Sequence, residues 1–339
     1  MSTCIRVAAV QAEPVWLDLE ATTDKTIAII ADAAADGAEL VAFPETWLPG
    51  FPVFLFGMPV YEQTELVRTY IANSPTVDGP QIGRIRAAAR EQGIIVALGI
   101  SERDHGSLYM SQLVIGEDGD ILMHRRKLKP THAERSLFGE GDGTSLRVIE
   151  TPLGRLGALN CFEHLQPLTK FALFAQHEEI HIAGWPCIGI MGEHNTLGAE
   201  TTLMASRQYA LEGSTFVLVA TQIMTDAGAQ RFAASNGSPF PLYTGGGGLA
   251  RVYGPDGGLL TKPLDPYADG LVVADIDLSD IGLAKNIVDP VGHYARPDVL
   301  RLLVDATPRS VVLDATTITS PASTQIDADP AALKVENDD

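Results

Sequence analysis

Short apolar runs alternate with helix-length stretches from residue 5 to residue 222, and that alternation restricts the fold more than any other feature of the chain. Residues 5–10 and 40–43 read as buried strands, with a helical pattern over 22–36 between them that Gly37 ends. Residues 82–92 give a second helical stretch with Gly93 at its C-terminal end, and 94–100 the next strand. Residues 113–122 predict a hairpin turning at Glu117, Asp118 and Gly119. Strands follow at 146–150, 156–160, 180–183 and 215–222, with helices over about 166–176 and 197–212. Strands alternating with helices argue an α/β fold.

The chain also resembles itself. VIGEDGDIL at 114–122 aligns with VYGPDGGLL at 252–260, an offset of 138 residues. A second pair, the strand ending AFP at 42–44 and the strand ending AGWP at 183–186, is offset by 141 to 142. Hairpin turns of this chemistry are common, but two separate pairs agree on the offset. Two halves of similar layout predict two sheets packed face to face with helices outside, a four-layer α-β-β-α sandwich. That domain is expected to span residues 1–304. Residues 305–339 hold seven acidic and two basic residues among Thr, Ser, Ala and Pro, and read as a partly disordered acidic tail.

Charge and cysteine usage narrow the function. A formal net charge of −19 repels phosphate backbones and anionic membranes, which argues against nucleic acid or a membrane as partner. Three cysteines, Cys4, Cys161 and Cys187, do not read as a disulfide framework. The opening residues lack the basic stretch and apolar core of a signal peptide. No apolar run approaches the roughly 18–20 residues that cross a bilayer. A cytoplasmic protein is the expectation.

Three local sequences carry candidate chemistry. In LGALNCFEH at 156–164 an apolar strand runs into a helical pattern, so Cys161 sits at a strand-to-helix turn. A helix N-terminus there favours thiolate, and the Phe162 N–H is placed to stabilise negative charge on a substrate. A buried structural cysteine is the plainer alternative. In LVAFPET at 40–46 a strand ends in Glu45, at the edge where α/β sheets gather their sites. Burial would make it a general base, and exposure an ordinary solvated carboxylate. HRRKLKPT at 124–131 places four cations in eight positions, either a solvated basic loop or the source of a lysine beside the thiol.

Together these residues resemble one family. FPE at 43–45, RKLKPT at 126–131 and NCFEH at 160–164 are similar, in that order, to the three motif regions of the nitrilase superfamily. The resemblance covers about residues 5–300. The extended forms RKLKPTHAER and CFEHLQPL look like the nitrilase branch rather than the amidase branches. It implies that Glu45 is the base, that Lys127 assists the intermediate and that Cys161 is the nucleophile. Glu134, seven positions after the lysine, then positions substrate or moves protons. The family usually has Trp where this chain has Phe162, which preserves the backbone N–H and changes the packing around it. The implied reaction converts a nitrile to a carboxylic acid and ammonia through a covalent cysteine thioimidate, with no cofactor and a small-molecule nitrile as partner. The alternatives are an amidase or cyanide-converting relative of the same fold, or a scaffold without catalysis. The resemblance also implies a homo-oligomer, a dimer or a helical filament. The apolar segment PGFPVFLFG at 49–57 adds a reason, since it needs cover from the active-site wall or from a neighbouring subunit. Trp185, ending the strand that pairs with the Glu45 strand in the repeat, is expected at the substrate mouth.

One rival motif remains. HEEIH at 177–181 satisfies the zinc-protease pattern H-E-x-x-H. Zinc would need both histidines on one face of a continuous helix, whereas Ile180 and Ile182 flank His181 as in a strand. No metal site is therefore expected. GGGG at 245–248 lacks the phosphate-loop pattern and reads as close backbone approach or a bend.

Overall fold

The computed structural model describes residues 4–187, 195–232 and 245–309, and in these the apolar runs become strands and the stretches between them helices. Its first half contains β1 (Cys4–Ala12), α1 (Leu19–Ala35), β2 (Leu40–Ala42), the short α2 (Phe54–Gly57), α3 (Thr64–Ala72), α4 (Pro80–Gln92), β3 (Ile95–Asp104), β4 (Ser107–Ile115) and β5 (Ile121–Arg126). After the two-residue β6 (Phe138–Gly139) come β7 (Ile149–Thr151), β8 (Gly154–Asn160), α5 (Pro167–Phe174), β9 (Ile180–Trp185), α6 (Ala199–Gly213), β10 (Phe216–Gln222), α7 (Asp226–Gln230), β11 (Arg251–Tyr253), β12 (Gly270–Asp277) and α8 (Asp280–Ile287). Contacts divide the chain after Thr307, and the elements above all lie in the first unit. Most of the expected acidic tail, from residue 310 onward, lies outside the described residues.

Local chemistry explains the helix limits. Asp18 caps α1 by accepting from the Ala21 N–H at 2.9 Å, and the helix buries Thr22, Thr26, Ile30 and Ala33, spaced three or four apart along one face. Pro80 opens α4, and Gly93 closes it at φ +63° in the left-handed conformation.

The two halves of the sheet share one topology. β1, β2 and β3 run parallel, with β4 antiparallel beyond β3. β8, β9 and β10 run parallel, with β11 antiparallel beyond β10. β2 therefore corresponds to β9 and β4 to β11, which are the two sequence pairs that signalled the repeat. The halves meet where Gln11 and Ala12 of β1 pair with Thr221 and Gln222 of β10.

Alternating side chains sort into layers, because successive residues of a strand point to opposite faces. Val7, Ala9, Leu40, Ala97 and Val114 from one half share a core with Leu156, Ile180, Ile182, Leu218 and Val252 from the other. Their neighbours Ala8, Val10, Val41 and Val96 pack outward on Ile30 and Ala33 of α1 and Ile82 and Ile85 of α4. Leu159, Ala183, Val217 and Val219 pack outward on α5 and α6 through Leu173, Phe174, Ala205 and Tyr209. Helices, sheet, sheet and helices make the four layers expected.

Three local expectations change. The strand expected over 146–150 shrinks to Ile149–Thr151, because residues 143–145 form a 3-10 turn. The helix expected over 166–176 is preceded by a separate 3-10 turn, Cys161–Leu165. The apolar segment 49–57 needs no second subunit to cover it. Phe51, Val53 and Phe54 are buried against Tyr70, Met110, Phe138 and Phe232 of the same chain, and Tyr70 Oη donates to the Gly50 carbonyl at 3.0 Å.

Candidate active site

The carboxyl ends of β2, β5 and β8 lie at one edge of the sandwich, since β5 runs antiparallel to β4 and therefore parallel to β3. The residues that follow these strand ends are Glu45, Lys127 and Cys161. All three are buried.

Lys127 is the hub. Its Nζ donates to Glu45 Oε1 at 2.9 Å and to Glu134 Oε2 at 2.8 Å, with Met110 Sδ at 3.8 Å. Burial alone would lower its pKa, but the carboxylates of Glu134 and Glu45 hold it above the ordinary lysine value, so it stays an ammonium. Glu134 sits in a 3-10 turn, His132–Ser136, and its Oε2 also accepts the Thr131 N–H at 2.5 Å. The structure thus brings Glu45, Lys127 and Glu134 into one contiguous ion cluster.

Glu45 is satisfied on one side only. Its Oε2 is buried and has no hydrogen-bond partner among the described residues. Burial pushes its carboxyl up to about 8 and Glu134 adds to that, while Lys127 pulls it back. Its backbone is held by Gln222, whose Nε2 donates to the Glu45 carbonyl at 2.6 Å. Gly99 in β3 makes room for this loop, because a Cβ there would fall 2.0 Å from the Pro44 carbonyl oxygen.

Cys161 follows β8 directly at φ +47°, a left-handed conformation that a side chain adopts only under constraint. The sequence suggested a helix dipole favouring thiolate there. The structure differs, because α5 begins only at Pro167 and a 3-10 turn intervenes. Burial first, and the Glu45 charge second, push the Cys161 thiol well above its ordinary value. Lys127 and a hydrogen bond from the Phe162 N–H pull in the other direction. The sulfur therefore rests as a thiol and needs a base before it can attack.

A second buried ion pair supports this turn, formed by Glu163 beside the nucleophile and Arg125, which the sequence analysis missed. Arg125 donates to Glu163, and Glu163 in turn accepts the N–H of Asn160 at 2.8 Å and of Leu128 at 2.9 Å. It thus ties the residue before Cys161 to the residue after Lys127. Strand periodicity held the signal. Along β5 and one residue past its end, Arg125 and Lys127 share the inward face, while His124 and Arg126 point outward to Glu102.

Trp185 has no face open to solvent. Its indole donates from Nε1 to Ser206 Oγ at 3.1 Å. It stacks on His164 with ring centroids 5.1 Å apart and meets Phe162 edge-on at 6.2 Å. The pseudo-symmetric placement was right for the strand, but the side chain alternates onto the outer, helix-covered face.

The zinc-like motif fails on geometry. His177 is exposed in a turn at φ +58°, and His181 is buried in β9. Among the described residues no group of three His, Cys, Asp or Glu side chains is arranged to hold a metal. Gly248 of the glycine run makes the expected close approach, but to Gln11, whose Cδ would lie 2.3 Å from a Cβ there. No helix of the described residues is long and apolar enough to cross a membrane.

The arrangement offers a thiol, a carboxyl group with one free oxygen, a fixed ammonium and a backbone N–H at the sulfur. Those are the parts of base-assisted nucleophilic attack on an electrophilic carbon.

Comparison with known proteins agrees. Residues 6–286 match the carbon-nitrogen hydrolase family. The chain is 51% identical over 299 residues to an aliphatic nitrilase of Rhodococcus rhodochrous, covering 88% of this chain and 81% of that one. It is 48% identical over 314 residues to a nitrilase of Talaromyces marneffei, covering 91% and 97%. A carbon-nitrogen hydrolase from Helicobacter pylori G27 shares the fold, with a TM-score of 0.69 at 19% identity over 87% of this chain and 96% of that one.

Proposed function

This chain belongs to the carbon-nitrogen hydrolase family, and on that premise we propose that it is a nitrilase, hydrolysing a nitrile to the carboxylic acid and ammonia. The observation that carries the assignment of roles is the buried Oε2 of Glu45, unpartnered among the described residues, with the Glu45 charge acting on the Cys161 thiol. Glu45 takes the thiol proton as the sulfur bonds to the nitrile carbon, and the nitrile nitrogen gains a proton to give a thioimidate. Lys127 and the Phe162 N–H stabilise the negative charge that develops. Water adds to the thioimidate with a carboxylate accepting its proton, Glu134 holding substrate or relaying that proton. The C–N bond then breaks and ammonia leaves. A second water hydrolyses the thioester and returns the thiol. Breaking the C–S bond of the tetrahedral adduct instead releases the amide as a by-product.

The test is ammonia release across aliphatic, aromatic and arylacetonitriles. Release from none of them, with protein of intact fold, would overturn the reading. The chain acts on a small molecule in the cytoplasm, without nucleic acid or membrane as partner. It assembles at least into a dimer. Met204 and Leu211 on α6, which remain half exposed, support association through the outer helices. Light scattering decides, and a single species at the 36.2 kDa monomer mass would refute it.

A further inference from the structure

Four buried side chains take no part in the chemistry above, yet they end on the nucleophile. Tyr209 Oη of α6 donates to Glu178 Oε2 at 2.6 Å. Glu178 Oε1 lies 2.7 Å from His181 Nδ1. His181 Nε2 lies 2.9 Å from His164 Nε2. His164 Nδ1 lies 2.6 Å from the backbone carbonyl oxygen of Cys161. All four side chains are buried. Glu178 and His181 are two members of the HEEIH segment that the zinc reading left without a role.

The last contact fixes all the others. A carbonyl oxygen only accepts, so His164 Nδ1 carries a hydrogen. Burial, and then His181, hold His164 well below the ordinary imidazole value, so its ring is neutral and Nε2 is a bare acceptor. His181 must therefore donate from Nε2. One proton remains to be held between His181 Nδ1 and Glu178. Burial pushes the Glu178 carboxyl up to about 8, with Tyr209 pulling it back. Burial, with Arg125 assisting and Glu163 opposing, drives His181 well down. The resting array is thus a carboxylic acid followed by two neutral imidazoles, with every hydrogen pointing towards Cys161.

We propose that Tyr209, Glu178, His181 and His164 are positioning residues, a one-directional hydrogen-bond array that clamps the Cys161 carbonyl and thereby aims the Phe162 N–H at the reacting centre. The link is peptide geometry. In the planar trans peptide between Cys161 and Phe162, the C=O and N–H point in opposite directions. Fixing the oxygen on the His164 side sends the N–H to the other side, towards the sulfur. The clamp also holds Cys161 at φ +47°. If the proton between Glu178 and His181 is lost, the Glu178 carboxylate can only accept, and His181 moves its one hydrogen from Nε2 to Nδ1 to donate to it. Both histidines then change tautomer, and a bare His164 Nδ1 faces the carbonyl, lone pair against lone pair. This inference rests on the reading of Cys161 as nucleophile.

Two measurements test it. Nitrogen-15 solid-state spectra of histidine-labelled wild-type protein should show His164 protonated only at Nδ1 and His181 only at Nε2. A bare His164 Nδ1 would overturn the array, whatever the variants do. In the kinetic arm, Glu178→Leu removes the donor to His181 and should lower kcat about 10- to 100-fold, the scale of a misaimed oxyanion donor, with KM changed less than about threefold. Glu178→Gln donates to His181 from its amide and accepts from Tyr209, so it should recover most of that loss. Equal kcat values for the Leu and Gln variants would refute the positioning role. Should Cys161→Ala retain turnover, the catalytic reading fails while the tautomers stay as stated, so the two failures are distinguishable.

Discussion

Arg125 donates from Nη2 to both carboxylate oxygens of Glu163, at 2.7 and 2.9 Å, and neither side chain reaches solvent. Burial raises the pKa of Glu163, but the Arg125 charge and hydrogen bonds outweigh it, so Glu163 stays a carboxylate below its ordinary value. Removing one partner leaves a buried, uncompensated charge. Arg125→Met should therefore cost about 3–5 kcal/mol of stability, read from denaturant unfolding. Adding Glu163→Leu removes the stranded charge, so the double variant should lose clearly less than the two single losses combined. Strict additivity would mean that the pair does not act as a unit.

Cys161→Ala deletes one sulfur from a packed turn and leaves the Phe162 N–H in place. Turnover should fall by about a thousandfold or more, with an unchanged circular dichroism spectrum. Wild-type protein quenched during turnover should carry the acyl mass of the substrate, and the Ala variant should not. Persistence of the mass adduct in the variant would assign the nucleophile elsewhere.

The fold was legible in two features of the chain. Continuous apolar runs in β1, β2 and β10 marked strands buried on both faces, and the duplicated hairpins after Val114 and Val252 revealed the repeat. Glu45, Lys127 and Cys161 were legible as residue types at strand ends, and the structure brings Glu45 and Lys127 together. Most of the supports were not. Arg125 lay hidden in a run of four cations, because charge alone does not tell inward from outward positions. The burial of Trp185 under α6 was not legible, since a one-residue difference in strand phase reverses the side chain. The array from Tyr209 to His164 joins α6, β9 and the turn after β8, and no local pattern announces contacts so far apart in sequence.

Glu45 sets a pH dependence. Its carboxyl is raised from an ordinary 4.5 to about 8 in the folded protein, and only the carboxylate accepts the thiol proton. Accordingly kcat/KM should climb with pH through a midpoint near 8. Stability should move the other way. A raised folded-state pKa gives stability that is full below 4.5 and is lost as pH rises through about 8. Glu45→Gln does not ionise, so its unfolding midpoint should decline less than the wild-type midpoint across that window. Parallel declines would show that Glu45 is not protonated in the folded state.

Trp185 packs against Phe162, the residue after Cys161, and that ring is the route by which it would act on substrate size. The indole meets the Phe162 ring edge-on at 6.2 Å and is pinned by its hydrogen bond to Ser206. Trp185→Phe removes that bond and part of the ring. Ser206 Oγ keeps its own acceptor, the Thr202 carbonyl at 2.9 Å, so no buried hydroxyl is left without a partner. The stability cost should stay below about 3 kcal/mol, less than truncating a buried Trp to Ala. The vacated volume lets the Phe162 ring withdraw from Cys161. Bulky nitriles should then gain over small ones by about 3- to 10-fold in kcat/KM, within the range that a change of one or two methylenes in pocket shape supplies. Measuring that ratio for a linear aliphatic nitrile and an arylacetonitrile, together with the unfolding midpoint, decides between pocket and packing. A shifted midpoint with an unchanged ratio would confine Trp185 to the core.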